Sequence, residues 1–215
     1  MKAGMSTHNY FAVIAIVGYL LGSIPFGYLL VKIFQRRDIR QTGSGNIGAT
    51  NVARSSPALG LITLLLDAAK GFLAVICASA LGSRSSLPYL YSAMAVAAFC
   101  ALLGHMFPIW LKFRGGKGVA TGVGAFVAIV PKAVLIAICV FAALVALFRY
   151  VSLGSIGAAA ALPALVYLLY VQPGLPMQSV LAAAVAASLL IIARHHQNIS
   201  RLLAGTEHRF SLRRG

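Results

Sequence analysis

Long apolar segments constrain the fold of this chain more than any other feature of its sequence. Seven of them cover residues 10–34, 58–81, 90–111, 119–130, 133–148, 156–171 and 179–193. A helix needs about 20 apolar residues to cross a bilayer, so the first three segments can span, the fourth is too short to cross comfortably and the last three are marginal. The sequence therefore predicts an all-α integral membrane protein, a single domain over residues 1–215 built as a bundle of about seven transmembrane helices.

The balance of charges excludes several classes of protein. Lys and Arg number 18 against three acids, which gives a net charge of +15. The cations alternate with apolar segments instead of forming a soluble basic face, so we expect no nucleic-acid partner and favour membrane lipids or phosphate ligands. The three carboxylates, Asp38, Asp67 and Glu207, are far apart in the sequence. Hydrolysis by a carboxylate pair and a carboxylate-held metal ion are therefore disfavoured, and we expect neither a metal nor a cofactor.

Positive charges are distributed unevenly between the two sides of the predicted bundle. Lys2, Arg84 and Lys132 fall on one side and Lys70 lies within a span, whereas every other Lys and Arg falls on the opposite side. The positive-inside rule makes the rich side cytoplasmic, with the N-terminus outside and the C-terminus inside. Four polar clusters lie on that side, at residues 38–54, 114–118, 152–155 and 194–198. A transporter more often places its polar site near the midplane, so this arrangement favours chemistry at one membrane face.

A glycine-rich turn with two cations separates the third and fourth segments, at Arg114, Gly115, Gly116, Lys117 and Gly118. Successive glycines allow backbone N–H groups to converge on an anion, Lys117 adds a charge, and Arg114 adds a planar fork suited to phosphate. The run from Val119 predicts a helix whose N-terminus points at the same anion. The turn is not a Walker A loop, since Leu111 and Gly118 occupy places that need Gly and Ser or Thr. A phosphate site and an ordinary glycine turn with membrane-flanking charges both remain open.

A second polar stretch follows the first segment, with the residues Gly43, Ser44, Gly45, Asn46, Thr50 and Asn51. Its glycines, hydroxyls and amides can form a donor cluster for an anion, and Arg54 can add a phosphate fork. Taken alone, the stretch is equally consistent with a polar loop.

The C-terminal part offers a weaker signal. His195 and Asn198 stand three residues apart, on one face if the last helix continues, and can orient a hydroxyl nucleophile. The alternative is a histidine pair that caps a helix end or meets lipid headgroups. We expect Glu207 to pair with Arg209 and to position the His195 region.

Two charges and a proline lie inside the predicted spans. Asp67 and Lys70 are three residues apart in the second segment. Intramembrane charges are functional hypotheses by default, but we favour an ion pair that neutralises itself in the bundle interior. Pro25 lies within the first segment, where we expect Ser23 and its neighbours to satisfy the backbone groups that the proline frees.

The motifs together resemble those of the bacterial acyl-phosphate:glycerol-3-phosphate acyltransferase family, the PlsY family. They are residues 22–27, residues 43–51 with Arg54, residues 114–121, and the pattern His195-x-x-Asn198-x-x-Arg201-x-x-x-Gly205-x-Glu207. The resemblance covers nearly the whole chain and implies seven spans with three cytoplasmic motifs. The His-x-x-x-x-Asp pattern of acyl-CoA-dependent acyltransferases is absent from the sequence.

The resemblance also implies a reaction. The acyl group of a fatty acyl phosphate moves to the 1-hydroxyl of sn-glycerol 3-phosphate, giving lysophosphatidate and inorganic phosphate for phospholipid synthesis, in a multi-pass protein of the bacterial inner membrane. It implies that Ser44 and Arg54 are required for activity and that the loop carrying Lys117 binds phosphate. His195 and Asn198 would contact the acceptor, and Glu207 would support them structurally.

Some choices stay open at the level of sequence. Either Ser152 or Ser155 would add a phosphate contact. Either neutral His195 or the donor phosphate would accept the proton of the acceptor hydroxyl. The alternative function is an organophosphate or anion transporter whose cationic loops form a substrate vestibule.

Overall fold

The computed structural model describes residues 7–82, 87–173 and 175–209. Lys2, Arg84, Arg213 and Arg214, on which the predicted orientation partly depends, lie outside the described residues. All regular structure within those residues is helical, which confirms the all-α prediction. The chain divides into two compact units, Met1–Ile129 and Val130–Gly215. The assignment of a single domain stays a prediction.

Two of the polar motifs lie in loops between helices, and most of the other polar site residues lie within helices. The first unit contains α1 (Thr7–Ser23), α2 (Phe26–Gln35), α3 (Ala49–Ser55), α4 (Pro57–Gly82), α5 (Leu87–Met106) and α6 (Val119–Val127), with 3-10 turns at Ile39–Gln41 and Ile109–Leu111. The second unit contains α7 (Pro131–Phe148), α8 (Val151–Tyr170), α9 (Gln178–Arg194) and α10 (His196–Leu203). The first polar loop therefore precedes α3, and the glycine loop joins α5 to α6.

Most of the predicted spans are present as long apolar helices. Among the described residues, those long and apolar enough to cross a bilayer are Thr7–Gln35, Pro57–Leu81, Tyr89–Leu111, Pro131–Phe148 and Val151–Tyr170. α9 and α10, bent by 56° at their junction, add one more if they are counted together. The nine residues of α6 extend about 14 Å, against a hydrocarbon core of about 30 Å. This confirms that the fourth segment is too short to cross as a helix.

Glycines permit close helix packing in the first unit. A Cβ at Gly22 of α1 would overlap the backbone of Ala101 in α5, and one at Gly124 of α6 would overlap the backbone of Ala68 in α4. Small residues let membrane helices approach closely and gain van der Waals contact. Because α4 and α5 also pack on each other, the helices on both sides of the glycine loop are held in place.

A break at Pro25 separates α1 from α2 within the first span. The Ile24 N–H donates to the Leu21 carbonyl at 3.3 Å, so a neighbour of Ser23 satisfies a backbone group that the proline would leave unpaired, as expected. Ser23 itself does not do so, because its buried Oγ has no hydrogen-bond partner among the described residues. The Ile24 carbonyl instead accepts a hydrogen bond from Lys70 Nζ at 2.7 Å.

The second unit consists of α7, α8 and α9, followed by the short helix α10, which is bent away from α9. α8 packs against both α7 and α9, and Gly154 of α8 lies against Phe141 and Val145 of α7. The bend between α9 and α10 carries the chain back across the end of these helices. As a result, Glu207 reaches Ser152 in the first turn of α8.

Candidate functional site

The side chain of Asn51 holds the first polar loop in shape. Its Nδ2 amide donates to three backbone carbonyls, those of Ile39, Thr42 and Asn46. Its Oδ1 accepts the Ser44 N–H at 2.9 Å. Gly43 has a φ of +57°, and a Cβ there would overlap Asn51 Oδ1, so the closed loop requires glycine at this position. Asn51, predicted to bind substrate, is thus buried and directed at the backbone of its own loop.

A hydroxyl of this loop and a cation of the following helix, α3, are exposed. Ser44 and Arg54 are both exposed, and a Cβ at Gly43 would lie 3.7 Å from a terminal nitrogen of Arg54. Asn46 Oδ1 accepts the Gly48 N–H at 2.8 Å, which stabilises the turn before α3. Two further predicted residues are exposed beside it, Gly45 and Thr50. The loop therefore exposes Ser44, and the Arg54 guanidinium of α3 lies near the adjoining Gly43.

The amides of two glycines in the second loop point inward. The Gly115 N–H donates to the Met106 carbonyl at 3.1 Å, and the Gly116 N–H donates to the His105 carbonyl at 3.0 Å. A Cβ at Gly116 would also overlap the His105 imidazole, so the loop lies directly on the end of α5. The interpretation of these two amides as anion donors is wrong in this conformation, because both bind backbone carbonyls.

The remainder of the glycine loop agrees with the sequence interpretation. Gly118 has a φ of +83° and precedes the first residue of α6, Val119, so the predicted helix begins where expected. Lys117 is half-buried and Arg114 is exposed. The loop thus contributes two cations next to a helix N-terminus, which is a favourable environment for phosphate.

The two polar loops adjoin each other in the first unit. Leu111, just before the glycine loop, is buried in one hydrophobic cluster with Val31, Ile39, Ile47 and Val52. A surface cleft beside this cluster is lined by Tyr28, Arg40, Trp110, Leu111, Lys112 and Arg114. Leu111 therefore anchors the second loop against the residues that frame the first.

One cation of this cleft is already neutralised. Arg40 pairs with Asp38 at 2.6 Å. The hydrogen bond from Arg40 holds the pKa of Asp38 below its ordinary value. The positive charge of the cleft therefore comes mainly from Lys112 and Arg114.

Glu207 joins the polar residues of the second unit. Its Oε1 accepts hydrogen bonds from Ser152 Oγ at 2.7 Å and Asn198 Nδ2 at 2.6 Å. Its Oε2 accepts one from Arg201 Nε at 2.7 Å. Partial burial opposes ionisation of Glu207, but these three donors outweigh it and lower the pKa of Glu207 below its usual range. The carboxylate thereby holds the side chains of Ser152 in α8 and Asn198 in α10 together.

The prediction that Glu207 pairs with Arg209 was wrong. Arg209 donates to the Tyr150 hydroxyl at 3.2 Å and its guanidinium lies 5.7 Å from the centre of that ring. Arg201 takes the place of Arg209 at the carboxylate. Arg201 lies three residues after Asn198 in α10, so helical spacing puts the two on one face and was a signal for this partner.

His195 lies at the junction of α9 and α10 and not inside a continuous helix. Its ring is buried, and its Nδ1 lies 2.7 Å from the Ile191 carbonyl. A carbonyl only accepts, so Nδ1 carries the proton, and the basic lone pair of the neutral ring is on Nε2. His196 Nδ1 similarly lies 3.0 Å from the Ala193 carbonyl. The capping role considered from the sequence is thus present in both histidines.

The two candidate serines have different partners. Ser155 Oγ donates to the Val151 carbonyl of its own helix at 2.9 Å, whereas Ser152 donates to Glu207. Both side chains are buried. Ser152 therefore belongs to the Glu207 cluster, and Ser155 does not.

Comparison with known proteins identifies the family. A family profile described as glycerol-3-phosphate acyltransferase matches residues 12–205. A glycerol-3-phosphate acyltransferase from Syntrophotalea carbinolica is 49% identical over 93% of this chain and 97% of its own. One from Ehrlichia chaffeensis is 41% identical over 95% and 98%. The chain belongs to the glycerol-3-phosphate acyltransferase family.

Solved structures agree with the assignment of this acyltransferase. A crystal structure of PlsY, an integral membrane glycerol 3-phosphate acyltransferase, in its glycerol 3-phosphate form has a TM-score of 0.83 and 38% identity, covering 94% of this chain and 96% of that one. A lysophosphatidic acid form has a TM-score of 0.80 and 37% identity. The protein is therefore a multi-pass membrane enzyme, and the transporter alternative is not retained.

Within this acyltransferase the predicted site residues fall into two groups. One group belongs to the first unit and comprises Gly43, Ser44, Gly45, Asn46, Thr50, Asn51, Arg54, Arg114, Gly115, Gly116, Lys117 and Gly118. The other belongs to the second and comprises Ser152, Ser155, His195, Asn198 and Glu207. Sequence reasoning missed His105, whose place under the glycine loop has no local sequence signal, and it assigned no site role to Arg201.

Proposed function

We propose that this acyltransferase takes its acyl group from a fatty acyl phosphate and transfers it to the 1-hydroxyl of sn-glycerol 3-phosphate. The products are lysophosphatidate and inorganic phosphate, and the step belongs to phospholipid synthesis. The glycerol 3-phosphate and lysophosphatidic acid forms of the similar PlsY protein support this acceptor and this product. We place the reaction at the cytoplasmic face of a bacterial inner membrane, the side on which the cations gather.

The observation that carries the proposal is the pair of adjoining loops in the first unit. The first loop carries Ser44 and leads into α3, which carries Arg54, and the glycine loop carries Arg114 and Lys117. Leu111, just before the glycine loop, packs in the hydrophobic cluster that borders the first loop. Both proposed substrates are phosphate anions, and cations with hydroxyl donors stabilise such charges. An acyl phosphate also carries its own good leaving group, so the reaction requires little acid chemistry from a chain with three carboxylates.

The chemical step is a direct acyl transfer. The acceptor hydroxyl oxygen forms a bond to the acyl carbonyl carbon, and the hydroxyl proton passes to a base. The bond between the acyl carbon and the phosphate oxygen then breaks, and phosphate leaves with the electron pair. Lys117 and Arg54 neutralise phosphate, while Asn198 and either Ser152 or Ser155 orient the acceptor or its phosphate.

Two groups are candidates for the base, namely Nε2 of His195 and an oxygen of the donor phosphate. The contact from Nδ1 of His195 to the Ile191 carbonyl supports the histidine, because it places a proton on Nδ1, so the lone pair of the neutral ring is on Nε2. A pH–rate profile of His195→Gln separates the two. Loss of the limb that rises with pH supports the histidine, and an unaltered profile supports the phosphate.

Turnover by the purified protein tests the donor and the products together. The protein in detergent or lipidic mesophase receives glycerol 3-phosphate with acyl phosphate, acyl-CoA or acyl-loaded carrier protein in parallel. We expect lysophosphatidate and phosphate in equal amounts from acyl phosphate alone. Turnover with acyl-CoA and none with acyl phosphate would refute the proposed donor.

A further inference from the structure

A buried cluster of titratable side chains lies under the glycine loop, within the first unit. Lys70 Nζ lies 2.8 Å from Asp67 Oδ1, and each of these side chains is 3% exposed. This confirms the ion pair expected from the sequence. His105 Nδ1 lies 3.6 Å from the same Asp67 oxygen, with 4% of its side chain exposed. The ion pair of α4 therefore has a polar neighbour near the end of α5.

The ion pair is also fixed on its other side. Lys70 Nζ donates to the Ile24 carbonyl at the break between α1 and α2, at 2.7 Å. The same ammonium lies 5.7 Å from the centre of the Phe26 ring. Lys70 thus has a defined position in the interior of the unit, and Asp67 is held between Lys70 and His105.

His105 touches the glycine loop in two ways. Its carbonyl accepts the Gly116 N–H at 3.0 Å. Its imidazole occupies the space that a Cβ at Gly116 would need. The next residue along the chain is Lys117, so the imidazole lies against the backbone that leads to this cation.

Neutralisation of charge alone does not account for this arrangement. Burying an ion pair costs free energy, and apolar side chains of similar size would pack the same space at no such cost. The His105 imidazole must be desolvated as well, which also costs free energy. The arrangement is explained if the cluster sets the orientation of a ring on which a functional loop rests.

We propose that His105 is a positioning residue for the glycine loop and that the Asp67–Lys70 ion pair fixes the orientation of its ring. The inference rests on the proposed role of Lys117 in binding phosphate. His105 acts through the loop, by holding Gly116 and therefore Lys117 at a fixed distance from the end of α5.

The test compares three variants of the full-length purified protein. His105→Leu removes the polar ring and keeps a similar volume, and His105→Asn retains a polar group near the place of Nδ1. Thr63→Val is the matched control, because Thr63 is fully buried in α4 and its hydroxyl bonds only the Leu59 carbonyl of the same helix. The measurements are amide hydrogen exchange over residues 112–118, and KM and kcat for glycerol 3-phosphate.

We expect faster loop exchange in His105→Leu and a KM raised about tenfold or more, with a smaller change in kcat. His105→Asn should recover part of both effects, and Thr63→Val should match the wild type. The proposal is overturned if loop exchange or KM in His105→Leu equals that of Thr63→Val. It is also overturned if His105→Asn is as impaired as His105→Leu, because a polar group beside Asp67 would then contribute nothing to the position of the loop.

Two further arms keep the test decisive. If His105→Leu does not fold, the double variant Asp67→Asn/Lys70→Met removes both charges together and is judged by the same readouts. If the wild type forms no lysophosphatidate from acyl phosphate, the proposed function fails. Affinity for inorganic phosphate then replaces KM, and the exchange measurement still decides whether His105 positions the loop.

Discussion

Replacing Glu207 by glutamine separates the charge of this residue from its shape. In the wild type the carboxylate accepts from Ser152 and Asn198 on one oxygen and from Arg201 on the other. A glutamine keeps one oxygen and replaces the second by an NH₂ group. When the glutamine oxygen faces Ser152 and Asn198, its NH₂ group faces the Arg201 guanidinium. Both groups are hydrogen-bond donors, so no hydrogen bond forms between them. The variant therefore loses one charge-assisted hydrogen bond and weakens two others.

The magnitude follows from these contacts. A hydrogen bond to a charged group contributes about 1.5–3 kcal/mol, but Arg201 is 35% exposed, so solvent screening reduces the net loss to about 1–2 kcal/mol. For a chain of this size that corresponds to a fall in Tm of about 2–8 °C. Because Asn198 loses its fixed orientation, we expect kcat/KM to fall by roughly tenfold, or about 1.4 kcal/mol.

The pH dependence gives a second signature of the same residue. The pKa of Glu207 is lowered in the folded protein, so its contribution to stability is complete above the unfolded pKa of about 4.3. It is lost as pH falls through the still lower folded pKa. The difference in Tm between the wild type and Glu207→Gln should therefore be constant near neutral pH and shrink below about pH 4.

Thermal unfolding in detergent and steady-state kinetics check these values. Arg201→Gln should reproduce most of the loss, and Arg209→Gln should not, because Arg209 contacts Tyr150. Equal Tm and kcat/KM in the wild type and Glu207→Gln would refute the assignment of Glu207 as the residue that holds this cluster. An effect of Arg209→Gln larger than that of Arg201→Gln would restore the partner expected from the sequence.

Three further predictions concern the first unit. Lys117→Ala should abolish turnover without changing Tm, and near-normal rates would remove this residue from the site. Asn51→Ala leaves loop carbonyls without their donor and should lower kcat/KM by about a hundredfold. The control Ser55→Ala loses only a bond to its own helix and should keep the wild-type kcat/KM. Equal kcat/KM in the two variants would contradict the role of Asn51. Single cysteines at residues 46 and 114, in a background without the native cysteines, should react with an impermeant reagent from the same membrane side. Labelling from opposite sides would refute a shared face.

Helix positions and the family were accessible from the sequence because each depends on local patterns. Apolar segment length is set by bilayer thickness, so α4, α7 and α9 were found within about two residues of their observed bounds. The short segment before Pro131 was recognised for the same reason. Each glycine or cation motif is a short stretch of neighbouring residues that can be read directly from the sequence. The motifs therefore identified the family that the comparisons confirm.

Partners across the chain were less accessible. Glu207 and Ser152 are 55 residues apart, and nothing in helical periodicity predicts that they meet. Arg209 is nearer to Glu207 in sequence than Arg201, yet the turn after α10 directs it to Tyr150. The direction of the Gly115 and Gly116 amides is likewise set by the end of α5 and not by the glycines themselves.

The sequence by itself determined that this protein is a helical membrane enzyme and which motifs are candidates for its site. Span length, charge bias and the motifs can each be read from neighbouring residues. The bilayer sets the first two, because its thickness fixes the length of a span and its two sides differ in the charge they accept in loops. Only the tertiary structure decided which groups each polar side chain contacts. It assigned Asn51 to its own loop, Arg201 to Glu207 and His105 to the support of Gly116. These assignments depend on distances between helices, which packing sets and which no single segment encodes.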